Sequence, residues 1–100
     1  MNTIPPQSTD PTTVPDKVLA RLRACRTRPL PEPGAPAREV SAWWLNHAAA
    51  NQGRAEAWAE LRGWAVVTGL PVAVLIALDL CRVRAEDEVD RCMREAEAAR

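Results

Sequence analysis

The chain has no phenylalanine and no tyrosine, a single histidine, and no net charge, with 13 basic and 13 acidic residues among 100. Each shortage excludes something. Four tryptophans are the only aromatics, so a large core of the ordinary kind is hard to assemble, because aromatic side chains carry much of the burial in such cores. Charge balance removes the electrostatic drive toward nucleic acid, and the short Arg run over residues 17–28 carries no recognition motif. Three cysteines at positions 25, 81 and 92 form neither a disulfide framework nor a CxxC zinc pattern. His47 has no cysteine or carboxylate at ligand spacing on its own helix, so no metal or cofactor is expected. No phosphate-cradling glycine loop and no nucleophile elbow are present. Glu56 and Glu60 read as solvated charges, no catalytic residue can be assigned, and no small-molecule substrate is expected.

What is there is unevenly spread. Residues 66–80 hold nine of the chain's twenty Val, Leu and Ile residues. All four tryptophans lie just upstream, at 43, 44, 58 and 64. Arg outnumbers Lys twelve to one and Ala is abundant, a bias of GC-rich bacterial genomes.

The pattern predicts an all-α chain of elongated helices. Residues 1–12 have too few apolar groups to offset the entropy of ordering, so they read as a disordered tail. They lack the basic start and apolar run of a cleaved leader. Residues 13–28 read as a short basic amphipathic helix, with Thr13 and Asp16 as a capping box and Pro29 as its stop. Residues 29–37 form a Pro-rich linker. Residues 38–62 form a Trp-rich amphipathic segment with a stop or kink at Gly53; Ala57, Trp58, Leu61, Trp64 and Ala65 make its apolar stripe. Residues 82–100 read as a charged helical tail laced by i,i+4 pairs, namely Arg84–Glu88, Asp87–Arg91, Asp90–Arg94 and Arg91–Glu95.

Between them lies the segment 63–81, in which sixteen consecutive residues, 63–78, are uncharged. A bilayer crossing needs about 20 apolar residues, with roughly 17 as a floor. Nine large aliphatics supply roughly −3 to −5 kcal/mol of insertion free energy, from which Asp79 would subtract up to about 3 kcal/mol. The segment is apolar all round, and the chain offers few large groups to cover it. It therefore reads as a short single-pass transmembrane helix, kinked at Pro71, in a bacterial cytoplasmic membrane, with the N-terminus inside. Trp43, Trp44, Trp58 and Trp64, with Arg62, Arg82 and Arg84, are the expected membrane-interface residues. Small residues recur every fourth position at Ala65, Gly69, Ala73, Ala77 and Cys81, continuing to Ala85. On one helix they form a ridge that lets two backbones approach and self-associate in lipid.

The expected function is that of a small non-enzymatic membrane-associated accessory protein that self-associates through this ridge. In general anatomy it resembles small membrane proteins of phages and mobile elements, with no motif shared. The alternative is a soluble helical interaction or regulatory protein that buries 64–80 in an oligomer or against a partner.

Overall fold

The computed structural model describes residues 13–25 and 28–100; the tail expected over 1–12 lies outside them. It contains three helices, α1 (Thr13–Ala24), α2 (Ala37–Val67) and α3 (Val72–Ala98). The all-helical expectation holds across the described residues, but the boundaries move, and each shift has a local cause.

The largest correction falls within 63–81. This segment is not one helix. It is split at residues 68–71 into the end of α2 and the start of α3. Gly69 adopts φ +75°, a left-handed conformation that glycine reaches without the Cβ clash other residues meet. Its N–H bonds to the Val66 carbonyl at 3.1 Å, and the Leu70 N–H reaches the Ala65 carbonyl at 2.9 Å. This pair of bonds is the Schellman closure of a helix end. Pro71 then cannot continue the helix and instead caps the N-terminus of α3. The proline that was expected to kink a span thus helps to reverse the chain. Five uncharged residues end α2 and seven begin α3. Among the described residues no helix is long and apolar enough to cross a membrane, so the single crossing expected for 63–81 has no helix to carry it.

Helices α2 and α3 form an antiparallel hairpin whose contacts nest outward from the turn. Arg62 meets Asp79 at 3.0 Å, His47 meets Glu88 at 3.4 Å, and the Ser41 hydroxyl donates to the Ala96 carbonyl at 3.0 Å. The seam between the helices is built from small residues at heptad spacing. Ser41, Ala48 and Ala55 recur seven apart on α2, and Ala85 and Cys92 do so on α3; all five are buried, as are Asn51, Ala65 and Ala96. A seven-residue repeat keeps one face of each helix on its partner. Small side chains in that repeat let two backbones approach closely.

Helix α1 packs on another face of α2. Val18 is fully buried, and Arg21 pairs with Glu60. The helix ends at Ala24, earlier than Pro29 would require, because the chain there is held by α2. The Arg54 guanidinium donates to the Cys25 carbonyl at 2.6 Å. A Cβ on Gly53 would sit 3.2 Å from the Cys25 sulfur. Gly53 therefore neither stops nor kinks α2; it makes room for the end of α1. Ala57, also fully buried, lies between Gly53 and Glu60 on this face. The stripe of Ala57, Trp58, Leu61, Trp64 and Ala65 is indeed buried or half-buried, divided between the two neighbours of α2. The linker returns to α2 through Gly34, and the Trp43 indole N–H donates to the Arg28 carbonyl at 2.9 Å. Of the expected i,i+4 pairs in 82–100 none forms; Arg82 pairs with Glu86 at 2.8 Å and Arg91 with Glu88 at 3.4 Å instead.

Candidate functional site

Two regions of the hairpin carry chemistry that packing alone does not explain. One is its apolar tip. Val66, Val67, Val72, Val74, Ile76 and Leu80 are all exposed, with Val67 at 82% and Val72 at 68%. The Schellman turn places them there, because it ends both helices inside the most apolar stretch of the chain. Val72, Ile76, Leu80 and Val83 also share one face of α3, at i, i+4, i+8 and i+11. This face points away from the seam that buries Ala85 and Cys92, and all four of these side chains are exposed. Charge begins at one level on both helices. Arg62 on α2 faces Asp79 on α3, and Asp79 also lies 3.6 Å from Arg82. Beside them the Trp64 indole nitrogen is buried without a hydrogen-bond partner.

The residues expected at a membrane interface are divided by this fold. Arg62, Trp64 and Arg82 gather at the base of the tip, with Arg84 exposed farther along α3. Trp58 is half-buried about 9 Å from Trp64 along the helix axis, whereas Trp43 and Trp44 lie roughly 30 Å away. The small-residue ridge is likewise divided. Ala65 is buried, Gly69 forms the turn, Ala73 and Ala77 are exposed on α3, and Cys81 is half-buried. A continuous ridge needs one helix through 65–85, and the turn interrupts it. The small residues that do bring two helices together are a different set, the heptad positions of the seam.

The second region lies toward the open end of the hairpin, where Trp43 and Trp44 are found. The rings of Trp43 and His47 stack, with centroids 5.0 Å apart and 12° between planes. Trp44 meets Trp43 edge-on, and the Arg91 guanidinium lies over Trp44 at 5.2 Å. His47 Nε2 is 3.4 Å from Glu88 Oε2, while Arg91 Nε is 3.4 Å from the other oxygen, Oε1. Cys92, one helical turn beyond Glu88, completes the group. One donor atom from each of His47, Glu88 and Cys92 lies within 4.8 Å of the others. Cys92 is fully buried and His47 half-buried, and His47 Nδ1 has no hydrogen-bond partner. Burial pushes the Cys92 thiol above its ordinary pKa, and the Glu88 carboxylate adds to the rise.

A search for ligands along the helix of His47 misses this cluster, because its other two members come from α3. The Glu88–Cys92 spacing of four was legible. Its register against His47 was not, without the hairpin turn. No family model, curated protein or solved structure compared with the chain matches it.

Proposed function

We propose that the protein is a non-enzymatic interaction protein that works through the apolar tip of its hairpin, which inserts into the surface of a lipid bilayer without crossing it. The observation that carries this reading is the exposure of five large aliphatic residues, Val66, Val67, Val72, Val74 and Ile76, around one turn, in a chain whose buried seam contains little larger than alanine. From the charged level at Arg62 and Asp79 to the ends of the helices is five to seven residues, or about 8–10 Å of helix. That depth suits an interfacial element, whose apolar face enters the headgroup and acyl boundary by about 5–10 Å. Arg62, Trp64 and Arg82 stand where snorkelling and interfacial side chains belong.

A second reading rests on a separate observation. The outer stripe of α3 continues past Asp79 to Leu80 and Val83, beyond the depth that tip insertion would cover. Burial of that stripe against a second copy or a partner helix would cover it, as in a helix-in-groove interface. The test is flotation of the full chain with phospholipid vesicles, alongside its oligomeric state in solution. Binding that falls at least tenfold in Val67→Asp and Val72→Asp, with helicity unchanged, supports insertion. A chain that ignores vesicles but forms a defined oligomer broken by Leu80→Asp replaces insertion with the second reading. A monomer that ignores vesicles overturns both.

A further inference from the structure

Three side chains toward the open end of the hairpin carry the donor types that a metal takes. His47 comes from α2, while Glu88 and Cys92 come from successive turns of α3. The four-residue spacing puts the carboxylate and the thiol on one helical face. The fold orients each donor through a neighbour. Arg91 holds Glu88 Oε1, leaving Oε2 toward His47. Stacking on Trp43 fixes the plane of the imidazole. The heptad seam places Cys92 between the helices. Partners that orient ligands in this way are a regular feature of metal sites.

Packing alone accounts poorly for this group. A Cys at that heptad position serves as a small hydrophobe, and His47 and Glu88 face each other across the seam at 3.4 Å, an ion pair only when the imidazole is protonated. The imidazole also leaves one buried nitrogen without a partner, and such a group is costly where it is sealed from water.

We propose that His47, Glu88 and Cys92 form a site for a divalent metal of the zinc class, which clasps α2 to α3 toward the open end of the hairpin. Zinc takes a nitrogen, an oxygen and a sulfur donor at about 2.0–2.3 Å in a tetrahedron, so its ligand atoms lie roughly 3.3–3.8 Å apart. The present 4.8 Å spread closes by small rotations of the two half-buried side chains, His47 and Glu88. A water completes the fourth position from the solvent side of Glu88. On binding, the Cys92 thiol proton passes to solvent as the sulfur–metal bond forms. The carboxylate and the imidazole donate lone pairs, and nothing is oxidised or reduced. The site lies twenty residues from the end of α2, about 30 Å from the tip, so it is independent of whatever the tip binds.

The experiment uses the full chain, stripped with chelator and titrated with Co²⁺ and then Zn²⁺. The expected result is one Co²⁺ per chain, with tetrahedral visible bands and a near-ultraviolet thiolate band, both erased by Zn²⁺. At a hundredfold excess over the dissociation constant, Tm should rise by about 10 °C or more. Cys92→Ser should abolish the thiolate band, while Cys25→Ser and Cys81→Ser keep it. His47→Ala and Glu88→Gln should each weaken binding at least tenfold. The proposal is overturned if the folded chain gives no thiolate band, or if the band survives Cys92→Ser. Should Cys92→Ser fail to fold, a band unchanged in both His47→Ala and Glu88→Gln overturns it equally.

Discussion

The seam and the tip of the hairpin are made from the same two helices, yet they invert the usual placement of side chains. In the seam, every buried position is Ala, Ser, Asn or Cys. At the tip, Val66, Val67, Val72 and Ile76 are at least half exposed. Ordinary folding hides the large aliphatics first, because covering one fully is worth about 1.5–3 kcal/mol. Here the large groups are left outside, and the two long helices meet through residues whose merit is shape. The contrast teaches that this fold separates two tasks. Small residues in heptad register decide how α2 and α3 pair, and the large aliphatics of the tip are left open to solvent.

The strongest way to break that comparison is to put a large residue where only small ones fit. Ala55→Leu, at a position 3% exposed in the middle of the seam, should force the helices apart and cost about 2–3 kcal/mol, at the upper end for overpacking. Val67→Leu at the tip adds bulk to a side chain that touches little, and should change stability by less than about 0.5 kcal/mol. Denaturant midpoints of the two variants measure the difference. Equal effects would mean that the seam is not the element that sets the hairpin.

How much of this was legible in the sequence depends on which signal is followed. Helix content was legible, because periodicity and the scarcity of strand-forming runs agree along the chain. The greasiness of 63–81 was legible too, and its lack of cover in part: Val66, Val67, Val72, Ile76 and Leu80 are exposed, while Ala65 is buried and Leu70, Leu75 and Leu78 are half-buried. The topology was missed at one place. Thr68-Gly69-Leu70-Pro71 is a helix stop followed by a helix start, a glycine just past one helix end and a proline two residues on. An uninterrupted hydrophobic run masked it. Once the turn is placed, the small-residue heptads at 41, 48, 55 and at 85, 92 fall on facing sides of the hairpin, and His47 meets Glu88 and Cys92. The membrane ridge was drawn from small residues four apart, but the pairing of α2 with α3 uses small residues seven apart. Gly53 was misread for a different reason: its role is set by Cys25, a neighbour distant in sequence.

Two glycines six residues apart sharpen the distinction between turn and helix. Gly69 holds φ +75°, so Gly69→Ala should destabilise by about 1 kcal/mol, through left-handed strain at the residue that closes α2. Gly63 lies inside α2, and a Cβ there would meet nothing within 4 Å. Gly63→Ala should therefore stabilise by roughly 0.5–1 kcal/mol, since alanine loses less backbone entropy in a helix. Thermal melts of the two variants should move in opposite directions. A Gly69→Ala chain as stable as the parent would place the helix break elsewhere.

The smallest effect is expected at the charged level between the two regions. Arg62 and Asp79 are 41% and 39% exposed, and an ion pair so open to water contributes about 0–1 kcal/mol and is screened by salt. Asp79→Asn should lower stability only slightly, with the loss vanishing near 1 M salt. Its larger consequence is at the tip. Removing the carboxylate leaves Arg62 and Arg82 beside the apolar cap with no acid between them, and the cap then carries a basic collar. Vesicles rich in anionic lipid should bind this variant more tightly than the parent, whereas neutral vesicles should bind both more nearly alike. If Asp79→Asn leaves anionic vesicle binding unchanged, the charged level does not face the bilayer, and the exposed stripe of α3 becomes the surface to follow.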